Sequence, residues 1–126
     1  MVDISQQIVY WRDGAAEDWE VANQLVDGGK TRHGMFFAHL ALEKILKAHI
    51  CKKTEKLAPK SHNLVRLAEI AELQLKPQDI DTLAEMNEFS LEGRYPITFV
   101  SPPTKRESQG YMKRAKGIFE WLTQKL

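Results

Sequence analysis

An all-α fold, an up-and-down bundle of four to five helices, is predicted by three features of this sequence. Apolar residues recur at three- and four-residue spacing over most of its length. Glycine and proline cluster between those stretches rather than inside them. No pair of alternating segments suggests a sheet. At 126 residues the chain is one domain with one core, spanning 1–126, and no repeat, linker or low-complexity tract divides it.

The organising element is Met35 to Lys53, which has neither glycine nor proline. Phe37, Leu40, Ala41, Leu42, Ile45, Leu46, Ala48 and Ile50 form an apolar surface wider than one stripe, so this helix is expected to touch several neighbours at once. Its polar residues are ordered too: His39, Glu43 and Lys47 lie four apart and share one seam, with Lys44 beside them.

The first helix is predicted from Asp3 to Asp27, carrying Ile4, Ile8, Trp11, Ala15, Trp19, Ala22 and Val26 inward, with Gly28-Gly29 as its stop. The two tryptophans read as core anchors. Lys30 to Gly34 reads as a turn in which Thr31 caps the central helix. After a charged loop containing Pro59, Ser61 is expected to cap a helix over roughly His62 to Leu73. Pro77 suits the first turn of the next, which carries Ile80, Leu83, Ala84, Met86 and Phe89 toward an end near Gly93. Arg94 to Pro103 is the least helical part, with Ile97 to Val100 as a short extended arm. Thr104 and Glu107 spell a capping box for a last helix through Tyr111, Ala115, Ile118, Phe119 and Leu122, flanked by Met112 and Trp121.

The net charge of +1 gives no global reason to bind nucleic acid or a membrane. A basic run, Lys44, Lys47, Lys52, Lys53, Lys56 and Lys60, reads as a solvated helix end and loop. The single Cys51 excludes an internal disulfide. With no leader or apolar run of spanning length, a cytoplasmic location is expected.

No phosphate loop, zinc spacing or nucleophile–base pair is found. His39 and Glu43 could offer a metal only two ligands, so neither a metal nor a cofactor is expected. Arg32 and His39, six residues apart between them, could in principle hold a phosphodiester and move a proton. The plainer reading is an exposed turn arginine and a hydrogen-bonded bundle histidine.

Four segments occur in a telling order: Phe36-Phe37-Ala38-His39-Leu40-Ala41-Leu42-Glu43-Lys44-Ile45-Leu46-Lys47-Ala48, then Ser61-His62-Asn63-Leu64, then Arg94-Tyr95-Pro96, then Tyr111 through Trp121-Leu122. Together they resemble the HEPN family, the nucleotide-binding helical domain of prokaryotes and eukaryotes, over nearly the full chain. The resemblance implies a four- or five-helix bundle and a homodimer. It also implies a minimal nucleotidyltransferase as partner, in a two-component or toxin–antitoxin pair, and a nucleotide as ligand. The family's ribonuclease branch carries an arginine and, after a gap of four to six residues, a histidine. Here Arg94 is followed by Tyr, Pro, Ile, Thr, Phe, Val and Ser, without that histidine. The Arg-Tyr-Pro form is the one usual in the non-catalytic, nucleotidyltransferase-associated branch.

The expected ligand-binding residues are therefore His39, Glu43, Lys44, Lys47, His62, Arg94 and Tyr95, with no catalytic residue and no metal. An arginine fork and lysine charges suit a phosphate or carboxylate, and Tyr95 suits a base. The alternative for the same residues is an internal network in which Glu43 pairs with Lys47 or Arg94. Two other functions stay open: a metal-independent RNA endonuclease using Arg94 with His39 or His62, and a dimerisation protein closing on Phe99, Val100 and Trp121.

Overall fold

The computed structural model describes residues 2–90 and 102–126. Among these the chain is five α-helices and no strand: α1 (Ile4–Asp27), α2 (Thr31–Thr54), α3 (Leu64–Ile70), α4 (Pro77–Met86) and α5 (Lys105–Lys125), with a 3-10 turn at Asn87–Phe89 after α4. The extended arm expected at Ile97 to Val100, the helix end near Gly93, and Arg94, Tyr95, Phe99 and Val100 all lie outside the described residues.

Helix α1 starts where the Asp3 side chain accepts from the Gln6 amide. It ends in a Schellman motif. The Gly29 amide donates to the Val26 carbonyl and the Lys30 amide to the Leu25 carbonyl, with Gly29 at φ 80°. The reversal is tight enough that α2 begins at once. Lys30 is its N-cap residue, without a side-chain cap, and Thr31 is already helical, so the expected turn through Gly34 does not exist. Gly34 explains the difference: it is a contact glycine, not a turn glycine. A Cβ there would lie 2.6 Å from Val26 Cγ2, 3.0 Å from the Val26 nitrogen and 3.2 Å from the Ala22 carbonyl oxygen. The missing side chain lets α2 run back along α1 almost in backbone contact.

The long α1–α2 hairpin is the most extensive packing in the molecule, and α3 and α5 close against α2 while α4 bridges α3 and α5. Helix α2 is buried on nearly all sides, through Met35, Ala38, Ala41, Leu42, Ile45, Leu46, Ala48, Ile50 and Cys51. Leu64, Leu67, Leu83, Met86, Met112, Ala115, Ile118 and Leu122 complete the core. Trp19 stacks on Phe119 at 4.9 Å and ties α1 to α5, as expected of an anchor.

Helix α3 is shorter than predicted. Its cap is Asn63, whose Oδ1 accepts from the Arg66 amide, not Ser61, whose Oγ only accepts from the Asn63 amide. It stops because Glu72 takes a left-handed φ of 54° and the Leu73 amide turns back to the Ala68 carbonyl. Helix α4 carries Pro77 in its first turn but ends at Met86; Leu83 and Met86 point inward while Ile80 stays exposed. The capping box of α5 is present in both directions, Glu107 amide to Thr104 Oγ1 at 3.1 Å and Thr104 amide to Glu107 Oε1 at 2.9 Å.

Two glycines thus carry opposite expectations. Gly34→Ala forces a methyl into Val26 and lowers unfolding stability by about 1–3 kcal/mol. Gly117→Ala, where a Cβ meets nothing within 4 Å on an exposed turn of α5, raises it by about 0.5–1 kcal/mol. Urea titration of the two variants beside the parent chain checks both signs.

Candidate functional site

The polar seam of α2 is not a solvent groove. His39, Glu43 and Lys47 are 1%, 4% and 5% exposed. Their four-residue spacing stacks them along one side of the helix, and the segment preceding α3 brings His62 against them.

Glu43 sits at the centre. Its Oε2 accepts from Lys47 Nζ at 3.0 Å and its Oε1 from His62 Nδ1 at 2.9 Å. An Nδ1–H donates to a carboxylate whether the imidazole is neutral or charged. His39 lies one turn before, its Nδ1 3.9 Å from Glu43 Oε1 and its Nε2–H donating to the His62 carbonyl at 3.0 Å. Burial holds the His39 pKa below 6.5, against the pull of the Glu43 charge and of that carbonyl; the Asn87 side chain is a further hydrogen-bond partner. Asn87 also accepts from the Leu64 amide at 2.8 Å and donates to Asn63 Oδ1 at 3.1 Å, so the cap of α3 and the histidine seam share a residue.

On the α1 side, the Lys47 ammonium lies 5.3 Å from the centre of the Trp11 ring, a cation over an aromatic face. The Trp11 N–H is itself buried without an acceptor among the described residues. Lys44 leaves the seam altogether. It crosses to α1, 2.7 Å from Asp18 Oδ2, with its chain over Gly14, where a Cβ would stand 3.3 Å from Lys44 Cδ. Gly14 is therefore a seat for a lysine stem.

Of the seven expected residues, four meet in one cluster: His39, Glu43, Lys47 and His62. Lys44 belongs to a separate ion pair, and Arg94 and Tyr95 fall outside the described residues. The basic run is in large part the solvated helix end and loop expected, with Lys52, Lys53, Lys56 and Lys60 exposed. Lys44 and Lys47 are paired as above, Lys52 donates to the Leu126 carbonyl at 2.9 Å and Lys53 lies 3.3 Å from Glu72. Sequence reasoning missed Asp18 and Asn87 and read Trp11 as a core anchor rather than as the ring facing Lys47, although Trp11 and Asp18 stand seven apart on the α1 face that packs on α2.

Arg32 is exposed in the first turn of α2 while His39 is buried two turns on, so the two present no shared surface. Burial raises the Cys51 thiol pKa and leaves the thiol little thiolate to react with. Among the described residues no three His, Cys, Asp or Glu side chains gather as a metal would need, and no helix is long and apolar enough to cross a membrane. An open cleft of about 350 Å³ lies elsewhere, between α4 and α5, lined by Gln78, Asp79, Asp81, Thr82, Glu85 and Arg114.

The fold and seam define an all-helical bundle whose central helix carries a carboxylate clamped by basic groups. The family model of the HEPN domain matches residues 8–126, and the chain belongs to that family. Two crystal structures share its fold. TT1696 from Thermus thermophilus is 19% identical, with a TM-score of 0.78 over 95% of this chain and 98% of that one. ST0689, described as an archaeal HEPN homologue, is 19% identical, with a TM-score of 0.70 over 99% of this chain and 98% of that one. No functionally curated protein matches the sequence.

Two outcomes are expected of the seam. Glu43→Gln strands the buried Lys47 ammonium and costs about 3–5 kcal/mol of stability in urea unfolding. The double variant Glu43→Leu/Lys47→Met recovers much of that loss, because an apolar pair of similar volume needs no neutralisation. The second outcome concerns pH. Burial lowers the pKa of His49 as well as that of His39; the His49 ring nitrogen donates to the Leu122 carbonyl at 2.7 Å, joining α2 to α5. With folded-state pKa values below 6.5, the unfolded chain binds more protons at acid pH. Each neutral histidine's contribution is complete above 6.5 and is lost as pH falls through the folded-state value, by at most about 1.4 kcal/mol per pH unit. Stability measured from pH 7.5 down to 5.5 should fall less steeply in His49→Gln than in the parent chain.

Proposed function

We propose that this chain is a non-catalytic HEPN binding module that works as a homodimer beside a minimal nucleotidyltransferase, as one half of a two-component or toxin–antitoxin-like pair. It takes a nucleotide, or a segment of that partner, where the polar seam reaches solvent. The observation that supports a binding role over an RNA-cleaving one is the state of the acid–base groups. Glu43 has a donor on each oxygen, and His39 is buried, hydrogen-bonded and held neutral. A general base for RNA cleavage must reach a ribose hydroxyl. His39 is closed off from one, and the residues after Arg94 include no histidine at the ribonuclease spacing.

His62 is the member of the cluster with a solvent edge, its side chain 38% exposed. The proposed ligand contacts are His62 with Arg94 and Tyr95, a guanidinium for a phosphate and a ring for a base. Glu43, itself paired with Lys47, holds the histidine in place.

The test combines two assays on the purified chain. Single-stranded RNA should remain intact over hours, with Arg94→Ala indistinguishable from the parent. A panel of nucleoside mono-, di- and triphosphates should raise the melting temperature of the parent by a few degrees and leave that of Arg94→Ala unmoved. RNA cleavage that disappears in Arg94→Ala would make the protein a nuclease and overturn the proposal.

A further inference from the structure

Helix α5 carries charge unlike the rest of the chain. It holds six lysines and arginines against only Glu107 and Glu120, while the whole chain is +1, so near-neutrality overall conceals a basic helix on a net acidic body. Helical spacing sorts these charges. Ser108, Met112, Ala115, Phe119 and Leu122 turn inward. Away from them, Arg106 and Lys113 stand seven apart on one stripe, with Lys105 and Lys116 on the stripe beside it, and all four are exposed. Glu120, one turn past Lys116, is the carboxylate that closes the strip. Among the described residues the four side chains make no ion pair, hydrogen bond or ring contact. The other two cations of α5 do: Arg114 lies 3.6 Å from Glu85, and Lys125 stands over the Trp121 ring. Lys44, Lys47, Lys52 and Lys53 are engaged as well. The outer face of α5 thus gathers unneutralised charge, where those lysines are paired.

We propose that this outer face of α5 binds the sugar–phosphate backbone of a double-stranded nucleic acid without reading its sequence. It is a second surface, independent of the α2 seam and of the role proposed for that seam. The residues on the face select the polyanion. Every exposed residue of α5 is polar or glycine. An anionic membrane needs apolar side chains that enter the headgroup region. A protein partner needs an aromatic or aliphatic anchor. A single strand needs rings on which its bases stack. The face exposes none of these. A duplex backbone asks only for cations, hydrogen-bond donors and room to approach. The amides of Gln109 and Gln124, both exposed, are the donors. Gly117, one turn after Lys113, leaves the helix surface bare: even a Cβ there would meet nothing within 4 Å. Length agrees. From Lys105 to Lys116 the helix rises about 16 Å, at about 1.5 Å per residue. A duplex presents one charge per roughly 1.7 Å of axis, so the four cations reach phosphates together.

Fluorescence anisotropy of a labelled, random-sequence DNA duplex titrated with the full chain tests this. The parent is expected to bind at low salt and to lose about a hundredfold in affinity between about 50 and 200 mM salt, as four phosphate contacts require. Arg106→Gln/Lys113→Gln should weaken binding about tenfold or more and roughly halve the slope of log affinity against log salt. Helical circular dichroism should be unchanged, because both sites are exposed. Lys56→Gln/Lys60→Gln removes the same charge from the exposed loop after α2 and should leave affinity and slope as in the parent. Glu120→Gln should tighten binding a few-fold. A single strand of the same length should bind more weakly than the duplex. A parent that leaves the duplex unbound at low salt overturns the assignment, and so does a loop variant that loses as much as the α5 variant. Equal or tighter binding to the single strand, or binding confined to phosphatidylserine vesicles, overturns it as well.

Discussion

The carboxylate of Glu43 is the constraint on which the rest of the bundle depends. A charge on the most buried helix of a small domain is tolerated only if it is neutralised and hydrogen-bonded, because the interior supplies no water to do either. The fold meets that demand from two directions. Lys47 comes from the same helix, one turn on, and is itself covered by the Trp11 ring of α1. His62 comes from the segment leading into α3, and its carbonyl in turn receives His39. One ionised group thereby fixes the rotation of α2 against α1 and the approach of α3. An error in either would strand a charge, which is how a buried polar cluster can select one packing among several of similar apolar quality.

The same clustering bears on what the molecule can do. Histidine, glutamate and lysine on one helix face look, on paper, like proton-transfer machinery. In the fold each is engaged by another part of the chain, and the histidine nearest the carboxylate is kept neutral by burial. The chemistry is directed inward, to holding shape. The side of the seam that meets solvent is His62, the half-exposed member of the cluster. The bundle is held by its apolar core and by the Glu43 clamp.

How far this was readable beforehand depended on how local the cause was. The central helix, the proline start of α4, the capping box of α5 and the glycine stop of α1 are short-range signals, and each appears where its residues stand. Thr31 and Gly34 misled because glycine has two uses. Its role here, letting two helices touch, depends on Val26 and Ala22 across the hairpin and leaves no mark in neighbouring residues. The end of α3 was missed because the left-handed position is filled by Glu72 rather than glycine. For the seam, periodicity correctly aligned His39, Glu43 and Lys47. That the row would turn inward, that Lys44 would desert it for Asp18, and that Trp11 would roof it are consequences of helix packing, beyond the reach of spacing along one helix.

The most direct test of an inward-facing, structurally committed seam is the titration of the imidazoles by nitrogen-15 NMR on the intact chain. His39 is expected to titrate at a lower pH than an exposed histidine, with the neutral Nε2–H tautomer still predominant at 6.5. If His39 instead protonates at or above 6.5, it is open to solvent and free to exchange protons, and the clamp around Glu43 is not the closed structural device described here.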